Sequence, residues 1–138
     1  MKKILLPVDG SESSGSYNMA KSLAEKYDAT ILILHVDEPI TPIYWANDTL
    51  TLENPTVTCT NNGSPIVEEA SKFFEGMKVE KLCRFGDASS VIIEVSEEED
   101  CDIIVMCTHG MSAIKRFLLG SVTNKVAHHA TKPVLIVR

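Results

Sequence analysis

Four short, unbroken apolar runs constrain this chain more than any other feature: Ile4-Leu5-Leu6-Pro7-Val8, Ile31-Leu32-Ile33-Leu34-His35-Val36, Ile103-Ile104-Val105-Met106-Cys107 and Pro133-Val134-Leu135-Ile136-Val137. A run with no polar alternation reads as a strand buried on both faces, as in a parallel sheet covered by helices above and below. A fifth, weaker strand runs through Val79, Leu82, Cys83 and Phe85. Between the runs, apolar residues recur at helical spacing. Tyr17, Ala20, Leu23, Ala24 and Tyr27 form one stripe, and Ile66, Val67, Ala70, Phe73, Phe74 and Met77 form a second, opened by Ser64 as N-cap and Pro65 at the first helical position. Gly86-Asp87 caps a third helix carrying Ala88, Val91, Ile92 and Val95, and Val122–Ala130 is the fourth. The acidic run Glu97–Asp100 reads as a solvated terminus of the third helix, because a helix C-terminus disfavours anions. Five strands alternating with four helices predict an α/β fold: a three-layer α/β/α sandwich on a five-stranded parallel sheet, with right-handed crossovers.

The 138 residues suit one domain over 1–138. Apolar residues at 44% and charged residues at 23% exclude disordered and fibrous classes. No apolar run approaches the roughly 18 residues of a membrane span. The start of the chain has the charge of a signal peptide, but its apolar stretch stops at Asp9 with no small-residue cleavage site. Cys59, Cys83, Cys101 and Cys107 form no CxxC or zinc-like pairing, which points to a reducing cytoplasm. The net charge of −6 argues against a nucleic-acid partner. That charge is segregated: residues 1–102 hold all 19 acids and eight Lys/Arg, giving −11, whereas residues 103–138 hold no acid and five Lys/Arg, giving +5. A solvated basic face and a site for a small anion both fit this pattern.

Residues 37–62 break the rhythm, with Pro39, Pro42, Pro55 and the lone Trp45. They read as a variable loop, of the kind used for binding or partner contact. In an open parallel sheet a ligand sits beyond the C-terminal strand ends where strand order reverses, so the loops after Val8, Val36 and Cys107 are the candidates. After Cys107 come Thr108-His109-Gly110, nine residues, and Gly120-Ser121 at a helix start. Glycines allow close backbone approach, helix N-terminal amides bind anions, and Ser121 and Thr123 add hydroxyls. This is a candidate phosphate cradle, although the same glycines also serve simple turns.

These residues resemble the universal stress protein family, whose nucleotide signature is glycine, two residues, glycine, nine residues, glycine, then serine or threonine. The frame here is Cys107-Thr108-His109-Gly110, nine residues, Gly120-Ser121. The opening Ile4-Leu5-Leu6-Pro7-Val8-Asp9-Gly10-Ser11, the Leu34-His35-Val36 strand end, Leu118-Leu119-Gly120-Ser121-Val122 and the closing Lys132-Pro133-Val134-Leu135-Ile136-Val137 are similar to the family too. The likeness covers the chain except about residues 40–62. It implies a Rossmann-like sheet in the order 3-2-1-4-5 and a cytoplasmic stress-response protein that binds an adenine nucleotide. ATP is the expected ligand, ahead of AMP or ADP, with Mg²⁺ or Mn²⁺ held mainly by the phosphates. The implied site is Pro7, Val8, Asp9, Val36, Met106, Cys107, Thr108, Gly110, Gly120, Ser121, Val122 and Thr123. Asp9 would hold the ribose or adenine region, Val36 and Met106 the adenine, and Gly110, Gly120, Ser121 and Val122 the phosphates. The last strand would lie at a sheet edge and pair two copies into a homodimer through Val134, Leu135, Ile136 and Val137.

Cys107 departs from the signature, standing where the family has its first glycine. A negative φ there tolerates a side chain at modest cost, whereas a positive φ brings strain. No catalytic residue and no protein-held metal is expected. His109 reads as a turn residue, Ser11, Ser13 and Ser14 as helix-start serines, and His128-His129 as neighbours facing different ways at a helix end. Lys115 and Arg116 suit either a terminal phosphate or solvent. There is no G-x-S-x-G and no G-x-x-x-x-G-K-[ST]. Two other functions stand beside nucleotide binding: a slow nucleotide hydrolase using Asp9 and His109, and a partner-binding protein whose pocket Cys107 has emptied, with contact through the 37–62 loop.

Overall fold

The computed structural model describes residues 1–11, 14–38, 64–108 and 119–138. The 37–62 loop from Pro39 onward, Ser13, Cys59, His109, Gly110, Lys115 and Arg116 therefore lie outside the described residues. The elements alternate strictly: β1 (Lys3–Pro7), α1 (Ser14–Tyr27), β2 (Thr30–Asp37), α2 (Ser64–Lys72), β3 (Val79–Phe85), α3 (Ala88–Glu98), β4 (Ile103–Cys107), α4 (Ser121–His129) and β5 (Val134–Val137). All strand pairs are parallel, and the order is β3-β2-β1-β4-β5. The architecture and the strand order agree with expectation.

Three of the four unbroken apolar runs have the cause assigned to them; the fourth, Val134–Val137, lies at the sheet edge and is only half-buried along its length. Ile4, Leu5 and Leu6 are fully buried, as are Ile31, Ile33, Leu34, Ile104 and Val105. Alternate side chains feed two cores on opposite faces of the sheet. Ile4, Leu6, Ile31 and Ile33 pack with Ala20 and Ala24 of α1 and Val67 and Ala70 of α2. Leu5, Leu32, Leu34 and Ile104 pack with Val91, Ile92 and Val95 of α3 and Val126 of α4. Helices α1 and α2 thus cover one face and α3 and α4 the other.

Two local readings need correction. The stripe through Met77 is not one helix, because α2 ends at Lys72 and the chain continues in tight turns. Phe74 N–H donates to Ser71 O and Met77 N–H to Phe74 O, with Gly76 at φ +81. Gly76 takes a left-handed turn that a β-carbon would strain. The acidic run is not wholly outside α3 either: Glu97 and Glu98 belong to its last turn, and Glu99 is the C-cap. Cationic side chains offset the unfavourable dipole, with Lys3 at 3.2 Å from Glu99 and Lys132 at 2.9 Å from Asp100.

Asp102 anchors the start of the sheet. Its Oδ2 accepts from the amides of Lys2 (2.6 Å) and Lys3 (2.9 Å). Those bonds hold its carboxyl below the ordinary aspartate range. A depressed folded-state pKa adds stability that is present above the unfolded value and lost as pH falls through the folded one. Asp102→Asn is therefore expected to lower stability near neutral pH by about 1 kcal/mol or less, given its exposure. Urea melts of the variant and the native chain should converge as pH drops below the native carboxyl's range.

Candidate functional site

The reversal of strand order falls between β1 and β4, and a cavity of about 400 Å³ opens there beyond the strand ends. Its size suits a small-molecule ligand. Pro7 at the end of β1 and Val8 and Asp9 just after it line the cavity, with Val36 from β2, Met106 and Cys107 from β4, Thr108 just after it, and Gly120, Ser121, Val122 and Thr123 from the N-cap and first turn of α4. Eleven of the twelve expected positions thus share one wall, and the twelfth, Gly110, is outside the described residues.

Each side of the cavity follows from local structure. At β1, Asp9 Oδ1 accepts from the Ser11 amide at 2.8 Å and from the Ser11 hydroxyl, while Gly10 takes φ +92. This tight turn fixes Asp9 locally and leaves its exposed carboxylate on the rim. At β4, Gly120 N–H donates to Thr108 O at 2.8 Å, and Thr123 Oγ1 donates to Cys107 O at 2.9 Å. Thr123 is buried, so its hydroxyl ties the end of β4 to α4 and does not face a ligand as a donor. Gly120 is the N-cap of α4 and has no side chain to cap with, so it leaves the first-turn amides from Ser121 onward without a side-chain cap of its own. Such amides and the positive end of the helix form an anion site.

A β-carbon on Gly120 would stand 3.2 Å from Thr108 O, which explains glycine there despite an ordinary φ of −58. Cys107 is the converse case. Among the described non-glycine residues only Asp28 and Asp100 have positive φ, so Cys107 is outside the left-handed region and its side chain brings no backbone strain. The tolerant alternative is the one realised. Cys101 is fully buried, and that burial pushes its thiol pKa up to about 11, which disfavours the reactive thiolate.

Four wall residues were not expected: Leu34, Glu38, Ala88 and Ile92. Leu34 was within reach of sequence reasoning, since it lies two residues before Val36 on the same strand face. Ala88 and Ile92 were not, because only the folded crossover brings the first turns of α3 over the end of β2. The wall is apolar between β2, β4 and α3, through Leu34, Val36, Ile92 and Met106, and polar at α4. The lining is thus apolar at one end and offers backbone amides and a hydroxyl at the other. Among the described residues no group of three or more His, Cys, Asp and Glu side chains is placed to hold a metal ion, and no helix is long and apolar enough to cross a membrane.

Known proteins share both fold and sequence with this chain. A universal stress protein of Methanocaldococcus jannaschii is 30% identical over 99% of this chain and 82% of its own length. A putative universal stress protein of Staphylococcus aureus is 32% identical over 99% and 84%. A universal stress protein solved in complex with cAMP superposes with a TM-score of 0.71 at 26% identity, covering 99% of this chain and 97% of that one. The profile of the Universal stress protein family matches residues 1–138, the whole of the sequence. With that match, the parallel sheet and the cavity at its switch point, the chain belongs to the universal stress protein family.

Proposed function

We propose that the protein is a binding module for an adenine nucleotide, with ATP preferred, and that the cavity between β1 and β4 is its site. The observation that carries this reading is the wall itself: an apolar slot at Leu34, Val36, Ile92 and Met106 leads to the N-terminus of α4 at Gly120-Ser121. The slot suits a purine, and the helix start suits phosphates. The relative solved with cAMP holds a ligand of the same chemistry. In this reading Mg²⁺ or Mn²⁺ rides on the phosphates.

Hydrolysis is at most slow. Asp9, the described carboxylate of the hydrolase alternative, is tied into the Asp9–Ser11 turn, a structural role. The protein also pairs with a second copy through β5 in this reading. That strand lies at the sheet edge, and Val134, Leu135, Ile136 and Val137 are all half-buried with no charge among them. Uncharged apolar edges are commonly covered by another strand.

Equilibrium dialysis against ATP is expected to give saturable binding at one nucleotide per chain. No binding at millimolar nucleotide would leave the partner-binding alternative as the better account.

A further inference from the structure

His35 is a buried titratable side chain that the cavity wall does not include, 7% exposed on β2. It occupies the sheet face of Ile31 and Ile33, opposite the cavity-lining Leu34 and Val36. Its two nitrogens reach two different strand ends. Nδ1 lies 2.8 Å from Val8 O, and because a carbonyl only accepts, Nδ1 carries the proton and donates. Nε2 lies 2.9 Å from Asp37 Oδ1, whose second oxygen is buried with no partner among the described residues. Val8 and its neighbour Asp9 form the β1 lip of the cavity, while Asp37 sits between the wall residues Val36 and Glu38. Asp37 is itself held by its carbonyl, which accepts from Gly86 N–H at 2.9 Å.

We propose that His35 is a positioning residue for the cavity, a strap that fixes the Val8-Asp9 lip of β1 against Val36 and Glu38 of β2. The Val8 amide donates to Leu34 O at 2.8 Å, and the imidazole adds a second bond from β2 to the same residue through its carbonyl. Without the ring, the buried Val8 carbonyl and the Asp37 carboxylate both lose a partner, and the lip is free to move. The effect on nucleotide rests on the cavity being the nucleotide site; the effect on the lip does not.

The test compares His35→Ala, His35→Asn and Asp37→Asn with the native chain. Asparagine places an amide nitrogen where imidazole has Nδ1, so it keeps the donor to Val8 O, and Asp37→Asn offers Nε2 an amide that can either donate or accept while the Nδ1 proton stays. His35→Ala is expected to weaken ATP binding about tenfold, whereas His35→Asn and Asp37→Asn stay within about threefold of native. NMR of the native chain should show a proton on Nδ1, the nitrogen that faces the Val8 carbonyl. The amide resonances of Val8, Asp9 and Val36 should shift in His35→Ala and return in His35→Asn. The proposal is overturned if His35→Ala binds ATP as tightly as native, if Asn fails to rescue, or if Nδ1 carries no proton. Should His35→Ala not fold, the Asn variants and the native tautomer decide. Should the native chain bind no ATP, the nucleotide reading falls, and the amide shifts alone decide whether His35 sets the lip.

Discussion

Replacing Gly120 with valine should weaken ATP binding at least about tenfold, or about 1.4 kcal/mol, with little change in the fold. The first β-carbon there already stands 3.2 Å from Thr108 O, the atom that accepts the Gly120 amide. That oxygen belongs to backbone, held by the Thr108 amide donating to Val137 O at 3.1 Å, so it gives way little. The two γ-methyls of valine then crowd the start of α4, where the phosphates are placed in the nucleotide reading. Backbone strain is not the cause, since φ is −58 and ψ 155. Loss of a tolerated N-cap residue costs about 1 kcal/mol of stability at most, which a thermal melt separates from the binding defect. Gly120→Ala should fall between the two. Valine binding ATP as tightly as glycine would remove the α4 start from the site.

The largest loss of stability is expected from Phe74→Ala, about 3–5 kcal/mol in a urea melt with the slope unchanged. Phe74 is 1% exposed in the core beneath α1 and α2. Its ring meets Tyr17 at 5.6 Å and Phe73 at 5.2 Å between centroids. Truncation leaves a void inside this buried cluster, so a cavity term adds to the transfer term. Phe73 is the control, at 37% exposure, and Phe73→Ala should cost less than about 1.5 kcal/mol. Phe74 does not line the cavity, so ATP affinity of the folded variant should match native. Equal losses for the two phenylalanines would contradict the packing described.

Phe73 and Phe74 also show where the sequence stops being legible. Periodicity places both on one apolar stripe, but it does not show that α2 ends at Lys72 and that turns around Gly76 send Phe74 inward and Phe73 to the rim. The fold itself was legible because runs such as Ile31–Val36 have a single common cause, burial on both faces. The site was legible at Val8, Val36 and Cys107, because topology alone puts those three strand ends together. Ala88 and Ile92 were not, since nothing local in α3 records which strand end it will cover. Glu97 and Glu98 misled because the dipole argument ignores Lys3 and Lys132, cations distant in sequence that fold back against the same terminus. Cys107 could be judged only with its φ in hand, because a glycine replaced in a signature matters through backbone conformation before it matters through chemistry.

Native mass spectrometry of gently purified protein, with and without added ATP, tests the nucleotide reading and the edge-strand pairing together. A dimer carrying one adenine nucleotide per chain, released intact on denaturation, is the result the proposed function predicts. A chain that stays empty at millimolar ATP, whatever its oligomeric state, would contradict it.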